Sequence, residues 1–192
     1  MEYESIKYKV ITKEIFHKVT RRKHKGNTKE TRRTKLELIR KLENSDRNKI
    51  EKILLDTKNF NDDEIKIAME LIDIYLNNED QKDYEIFVDC DNDVVNGYIC
   101  IGPRPLTVGT YDLYWIAVNP FVQARGIGSG LIKYIEDYLK EKSARLILIE
   151  TSGKQGYEKE RKFYEKNLYD MFVEIKDFYN VGDSLVVYGK YI

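Results

Sequence analysis

The chain is 192 residues long, 42% hydrophobic and 34% charged, with 33 Lys or Arg balanced by 33 Asp or Glu. That length suits one globular domain with a short appendage and is enough for an enzyme. No apolar run approaches a membrane span, and Met1-Glu-Tyr-Glu lacks the basic-then-apolar order of a secretory leader, so a cytoplasmic protein without membrane contact is expected. Cys90 and Cys100 have no metal-ligand spacing, which predicts free thiols, no disulfide and no metal.

The zero net charge hides an asymmetry. Between Lys13 and Lys35 ten basic residues stand against two acidic ones, so a local excess of +8 is joined to a body carrying −8. Residues 1–33 therefore read as a basic N-terminal arm. It is either a solvated extension or a weak contact for nucleic-acid phosphates. His17 and His24, the only histidines, fall in this arm and read as surface residues rather than ligands or bases.

Residues 34–192 are expected to form one domain. Leu36, Leu38 and Leu42 mark a first strand, closed by the turn formers Asn44-Ser-Asp46. Ile50, Ile53 and Leu54 mark a short helix capped by Ser45 or Asp46. Asn61 with Glu64 predicts a capping box for a second helix, whose apolar face is Ile65, Ala68, Met69, Ile72 and Leu76. Strands over 84–89, 94–101 and 111–118 make an antiparallel meander, joined by Asp91-Asn-Asp93 and by a longer connection over 102–109. Ile127, Leu131, Ile132, Ile135 and Leu139 stripe a third helix. Leu146-Ile-Leu-Ile149 lacks alternation, which predicts a strand buried on both faces and parallel to the one before that helix. A helix over 157–166 carries Tyr157, Arg161 and Tyr164 on one face, and strands over 171–178 and 184–191 flank a loop at 177–183. Trp115 is expected in the core.

Residues 114–131 run from an apolar strand through Pro120 and a glycine-rich turn into a helix. The first amides of a helix lack intrahelical acceptors and carry the positive end of its dipole, and glycine lets an anion approach the backbone. A phosphorylated ligand is expected here. The Rossmann pattern, with its later acidic residue, is not met. Gln123-Ala-Arg-Gly-Ile-Gly128 instead resembles the (Gln/Arg)-x-x-Gly-x-(Gly/Ala) signature of the GNAT superfamily of acetyl-CoA-dependent N-acetyltransferases. The preceding Ile-Ala-Val-Asn-Pro and the later Phe163-Tyr-Glu-Lys also resemble motifs of that family, and the element order resembles its fold from about residue 36 onward.

The resemblance implies an α/β (α+β) GNAT fold, a mixed central sheet flanked by helices, with acetyl-CoA as co-substrate and no metal. It implies that backbone amides of Gln123, Ala124, Arg125, Gly126, Ile127, Gly128 and Ser129 hold the CoA pyrophosphate. The main chain of Ile116, Ala117 and Val118, on a strand splayed from its parallel neighbour near Leu146, would pair with the pantetheine arm. The implied reaction is direct attack of a primary amine on the thioester in a ternary complex. An amine of pKa near ~10.4 costs roughly 4 to 5 kcal/mol to neutralise at pH 7, so a base is expected. Asp112 stands four residues before Ile116, read as the same strand face, where histone-acetylating relatives carry a glutamate; its other reading is a strand-edge carboxylate.

Tyr164 matches the family tyrosine near the CoA sulfur, where it would hydrogen-bond the departing thiolate; its other reading is core packing. Glu150, Asp177, Tyr179 and Asp183 are the candidate acceptor residues, forming with Asp112 an acidic pocket for a cationic amine, or else a solvated hairpin. The chain departs from the family at Asn167-Leu168-Tyr169, where glycine is usual, so the left-handed helix cap falls to Asn167 or to a different turn. Small-molecule and protein acceptors, a longer acyl donor, a non-catalytic acetyl-CoA-binding regulator and a homodimer all stay open.

Overall fold

The computed structural model describes residues 38–58, 60–122 and 125–192. The basic arm, its boundary near residue 33, Leu36, Gln123 and Ala124 lie outside the described residues. The first strand or α-helix among the described residues is the short strand β1 (Ile39–Lys41), followed by two helices, α1 (Arg47–Thr57) and α2 (Asp62–Asn77). The meander follows as β2 (Glu85–Asp91), β3 (Val94–Pro103) and β4 (Thr110–Val118). The remainder is α3 (Ile127–Glu141), β5 (Leu146–Ser152), α4 (Glu158–Lys166), β6 (Asp170–Asn180) and β7 (Asp183–Tyr191). The seven strands form one sheet in the order β1-β2-β3-β4-β5-β7-β6. Pairing is antiparallel throughout except between β4 and β5, which is parallel, as the crossover through α3 requires.

Local chemistry explains most of these elements. Asp46 is fully buried and accepts from Glu43 N (3.0 Å) and from the Arg40 guanidinium (2.6 and 3.0 Å), tying β1 to the start of α1. The capping box of α2 forms as the sequence predicts: Glu64 N donates to Asn61 Oδ1 (2.9 Å) and Asn61 N to Glu64 Oε2 (2.8 Å). Asn92 and Asp93 take positive φ values of 46° and 66° and close the β2–β3 hairpin. The α3 stripe is buried at all five predicted positions, and Trp115 packs in the core against Phe60 with ring centroids 5.6 Å apart.

The two faces of the sheet are covered differently. Phe87, paired through Ile99 to Ile116, meets Tyr134 and Tyr138 of α3, and Tyr188, paired with Ile149, meets Tyr164 of α4. These residues define the α3/α4 face; Trp115 lies on the other, under α1 and α2. The expected two-sided burial of β5 is corrected accordingly. Ile147 and Ile149 are buried toward α3 and α4, while Leu146 and Leu148 on the other face are only half-buried.

Two turns also differ from expectation. The segment read as a loop at 177–183 is mostly strand: β6 runs to Asn180 and β7 begins at Asp183. The end of α4 is a Schellman motif, with Tyr169 N bonded to Tyr164 O (3.1 Å) and Leu168 N to Glu165 O (3.0 Å). Leu168, not Asn167, is the left-handed residue, at φ 66°, while Asn167 stays at φ −91° and its side-chain amide donates to Phe163 O (2.7 Å). Hydrogen-bond geometry selects the position, and no side chain there is favoured as glycine would be. Because Leu168 is 74% exposed, it contributes little packing to offset its backbone strain. Leu168→Gly is expected to raise the unfolding free energy by ~1 kcal/mol, as measured by urea denaturation.

Candidate active site

The site forms where β4 and β5 part. Their parallel ladder consists of Thr110↔Leu146, Tyr111↔Ile147 and Asp112↔Leu148, yet β4 continues to Val118 and β5 to Ser152. The cause lies on the opposite edge of β4. Cys100 pairs with Trp115 and Ile101 with Leu113, so Tyr114 is an extra residue, a β-bulge that bends and twists β4 just after its last bond to β5. The bulge also corrects the face assigned to Asp112. Asp112 pairs with Gly102 and therefore shares a face with Cys100 and Trp115, whereas Ile116 pairs with Ile99 and faces α3. Counting by twos fails across an inserted residue.

The residues expected to hold the cofactor lie beyond the parting. Ile116, Ala117 and Val118 are buried and end β4. Asn119 then makes a tight turn, accepting from Val122 N (3.1 Å) through its carbonyl and from Phe121 N (3.0 Å) through Oδ1. Gly126 caps α3 in the left-handed region (φ 71°, ψ 26°), a conformation suited to glycine, and Ile127 and Gly128 are buried behind it. A Cβ at Gly97 would stand 2.8 Å from the Ala117 carbonyl oxygen and 3.3 Å from the Ile127 side chain. Glycine there lets the first turn of α3 lie against the end of β4. Among the described members of the predicted CoA set, from Ile116 to Ser129, all therefore sit along one strand end and the helix start it feeds. An open strand edge and a helix N-terminus without side chains at Gly126 and Gly128 are compatible with a pyrophosphate and its extended arm.

The residues expected on the acceptor side include an ion-pair cluster on the face away from α3. Asp112 is 7% exposed, and its Oδ1 accepts from Arg104 Nη1 at 2.8 Å. Arg104 Nη2 reaches Glu150 Oε1 at 3.2 Å. Burial pushes the Asp112 carboxyl up to about 6; Arg104 pulls it down and the Glu150 charge pushes it up again. Two residues further along β5, the Ser152 hydroxyl donates to Asp183 Oδ1 (2.5 Å), while Lys154 Nζ lies 2.8 Å from Asp183 Oδ2. The Tyr179 phenol is raised by burial and by the nearby charges of Glu150 and Asp183.

The structure thus gathers Asp112, Glu150, Tyr179 and Asp183. It does not gather Asp177, which is exposed, has φ 53° and accepts from Gly182 N (2.6 Å), so it braces the β6–β7 hairpin instead. The expected acidic pocket is corrected to a mixed one, in which three carboxylates share two cations. Arg104, Ser152 and Lys154 were not identified from the sequence. For Arg104 a signal existed: it stands between Pro103 and Pro105, a pairing that stiffens a loop at a chosen point.

Tyr164 lies across the sheet from this cluster. It is fully buried, with ring centroids 5.6 Å from Phe163 and 5.7 Å from Tyr188. Arg161, on the same helix, donates to the carbonyls of Ser152 (2.8 Å) and Lys154 (2.9 Å), so α4 holds the end of β5 and its following turn.

A mixed sheet whose parallel pair parts beside a glycine turn and a helix N-terminus is the architecture of the acyl-CoA N-acyltransferases. The chain belongs to the acetyltransferase (GNAT) family, whose model matches residues 47–168, and it is an acyltransferase of that family. A solved protein from Desulfovibrio desulfuricans, assigned to the GNAT family, is 33% identical over 80% of this chain and 97% of that one, with a TM-score of 0.77. An aminoglycoside 6'-N-acetyltransferase complexed with coenzyme A shares the fold at 16% identity, covering 80% of this chain and 96% of its own, with a TM-score of 0.63. The ribosomal-protein-S18-alanine N-acetyltransferase of Escherichia coli does so at 16% identity over 80% and 92%, with a TM-score of 0.62. No curated protein matches the chain. Among the described residues no helix is long and apolar enough to cross a membrane.

The Ser152 bond tests how the buried end of the cluster is held. Ser152→Ala removes a donor from a carboxylate that is 6% exposed, so a loss of about 2 kcal/mol in unfolding free energy at pH 7 is expected from urea denaturation.

Proposed function

We propose that the protein transfers the acetyl group of acetyl-CoA to a primary amine by direct attack in a ternary complex. The observation that supports this most is the place of Asp112, a buried carboxylate at the last paired position before β4 leaves β5. When bound, acetyl-CoA would supply an activated thioester; the amides from Arg125 to Ser129 and the open edge of β4 are the groups that would hold it. The acceptor would enter from the α1/α2 face, between Asp112, Glu150, Tyr179 and Asp183. The carboxylates of Asp112, Glu150 and Asp183 offer acceptors to an incoming ammonium, which favours a cationic amine over a neutral or acidic one.

The bound ammonium would first lose a proton to solvent, and Asp112 would remove the second proton as the neutral nitrogen bonds to the thioester carbon. An amine that is forming a bond to carbon becomes a far stronger acid than the free ammonium, so a carboxylate of pKa about 6 is a competent acceptor and a better one than an ordinary aspartate. Tyr164 would donate a hydrogen bond to the departing thiolate from the other side of the sheet. Full proton transfer is not required, because a thiol of pKa about 8.5 is more acidic than a phenol of pKa about 10.

Thiol release from acetyl-CoA over a panel of amines tests the activity; primary cationic amines are expected to react fastest, and preference for neutral or acidic amines would reject the pocket assignment. The base must be ionised, so kcat/KM is expected to fall as pH drops through about 6. Asp112→Asn should remove that limb and lower kcat/KM about 10²- to 10⁴-fold; an unaltered profile would reject Asp112 as base. Tyr164→Phe should lower kcat by about 10- to 100-fold with acetyl-CoA affinity nearly unchanged, measured by steady-state kinetics and calorimetry.

A further inference from the structure

Two buried carboxylates on one face of adjacent strands oppose each other's ionisation unless a cation lies between them. Here Arg104 supplies it, with one guanidinium nitrogen on Asp112 and the other on Glu150. The loop that carries Arg104 is itself tied down. Arg104 N donates to Thr110 O (2.9 Å), the Thr107 hydroxyl donates to Arg104 O (2.8 Å), and prolines stand on both sides. The side chain spans the point where pairing between β4 and β5 ends, since Asp112 is the last residue of β4 paired with β5 and Glu150 lies two residues past its partner Leu148. The charged and titratable groups around Asp112 are Arg104 from the β3–β4 loop, Glu150 from β5 and the Tyr114 phenol from β4 itself. Arg104 is the cation among them.

We propose that Arg104 is a positioning residue of the transfer reaction, a guanidinium clasp that joins β4 to β5 across their parting and keeps Asp112 ionised and fixed beside the acceptor amine. This rests on Asp112 being the proton acceptor. Arg104 engages Oδ1 and leaves Oδ2 for the proton, which passes from the attacking nitrogen to that oxygen as the carbon–nitrogen bond forms and the carbon–sulfur bond breaks. Lysine is a poor substitute, because a single ammonium does not present the planar fork that reaches two carboxylates at once.

The test titrates the Asp112 carboxyl directly by carbon-detected NMR on protein labelled at aspartate, with Asp112→Asn for assignment, in the wild type, Arg104→Met and Arg104→Lys. Loss of the adjacent cation is expected to move the Asp112 midpoint up by on the order of 1 to 2 pH units in Arg104→Met, and by less in Arg104→Lys. The acid limb of kcat/KM, measured with acetyl-CoA and the fastest primary amine of the panel, should move by the same amount, while activity above the new midpoint recovers toward wild type. Thermal melting and acetyl-CoA calorimetry establish that each variant is folded; if Arg104→Met does not fold, Arg104→Lys decides. A midpoint unchanged from wild type overturns the clasp. Loss of the limb in Asp112→Asn without a shift in the Arg104 variants also overturns it, and leaves Asp112 as base. A midpoint that moves while the limb stays fixed overturns Asp112 as base, and the positioning role with it.

Discussion

Everything at the candidate site depends on two neighbouring parallel strands ceasing to pair after three residues. A strand in the middle of a sheet normally satisfies its backbone on both sides, and peptide groups left without partners in the interior are costly. The extra residue Tyr114 bends β4 away from β5 while leaving its other edge bonded to β3 as far as Val118. The result is a wedge floored by rigid strands, open along the β4 edge, with the start of α3 at its far end. In the proposed reaction the missing strand partner is the extended arm of the co-substrate.

The wedge has two chemically distinct walls. Toward α3 and α4 lies aromatic packing, in which Tyr164 is fully buried against Phe163 and Tyr188. Toward α1 and α2 lie carboxylates, each held by a cation or a hydroxyl from an element other than its own: Arg104 for Asp112 and Glu150, Ser152 and Lys154 for Asp183. Such pairing fixes geometry at the expense of charge, because each bound cation subtracts from the field offered to an incoming amine.

Much of the framework was legible before any coordinates. The α2 capping box, the stripe of α3 and the turn within Asp91-Asn-Asp93 are local, each stabilised by contacts within a few residues of chain; the first two occur where predicted, and the turn narrows to Asn92 and Asp93 because Asp91 ends β2. The glycine turn was legible for the same reason, since glycine takes without steric cost the left-handed backbone that Gly126 adopts. Asp177 failed because a carboxylate in a hairpin can serve the hairpin itself, and the bond from Gly182 N cannot be told from a substrate contact by residue type. Leu168 failed because the Schellman bonds choose a position by geometry and tolerate a residue that composition disfavours.

The sequence by itself determined the helices, the meander, the crossover and the glycine turn that opens α3, because all of these follow from periodicity, caps and turn residues acting over short stretches. Only the tertiary structure decided which face Asp112 occupies and what holds it there. An inserted residue in a ladder is defined by the partner strand, so the bulge at Tyr114 and the reversal of facing beyond it leave no mark in the periodicity of β4. The clasp is likewise a meeting of residues 8 and 46 positions apart, Arg104 with Asp112 and with Glu150, which closes only once the sheet has brought β5 alongside β4.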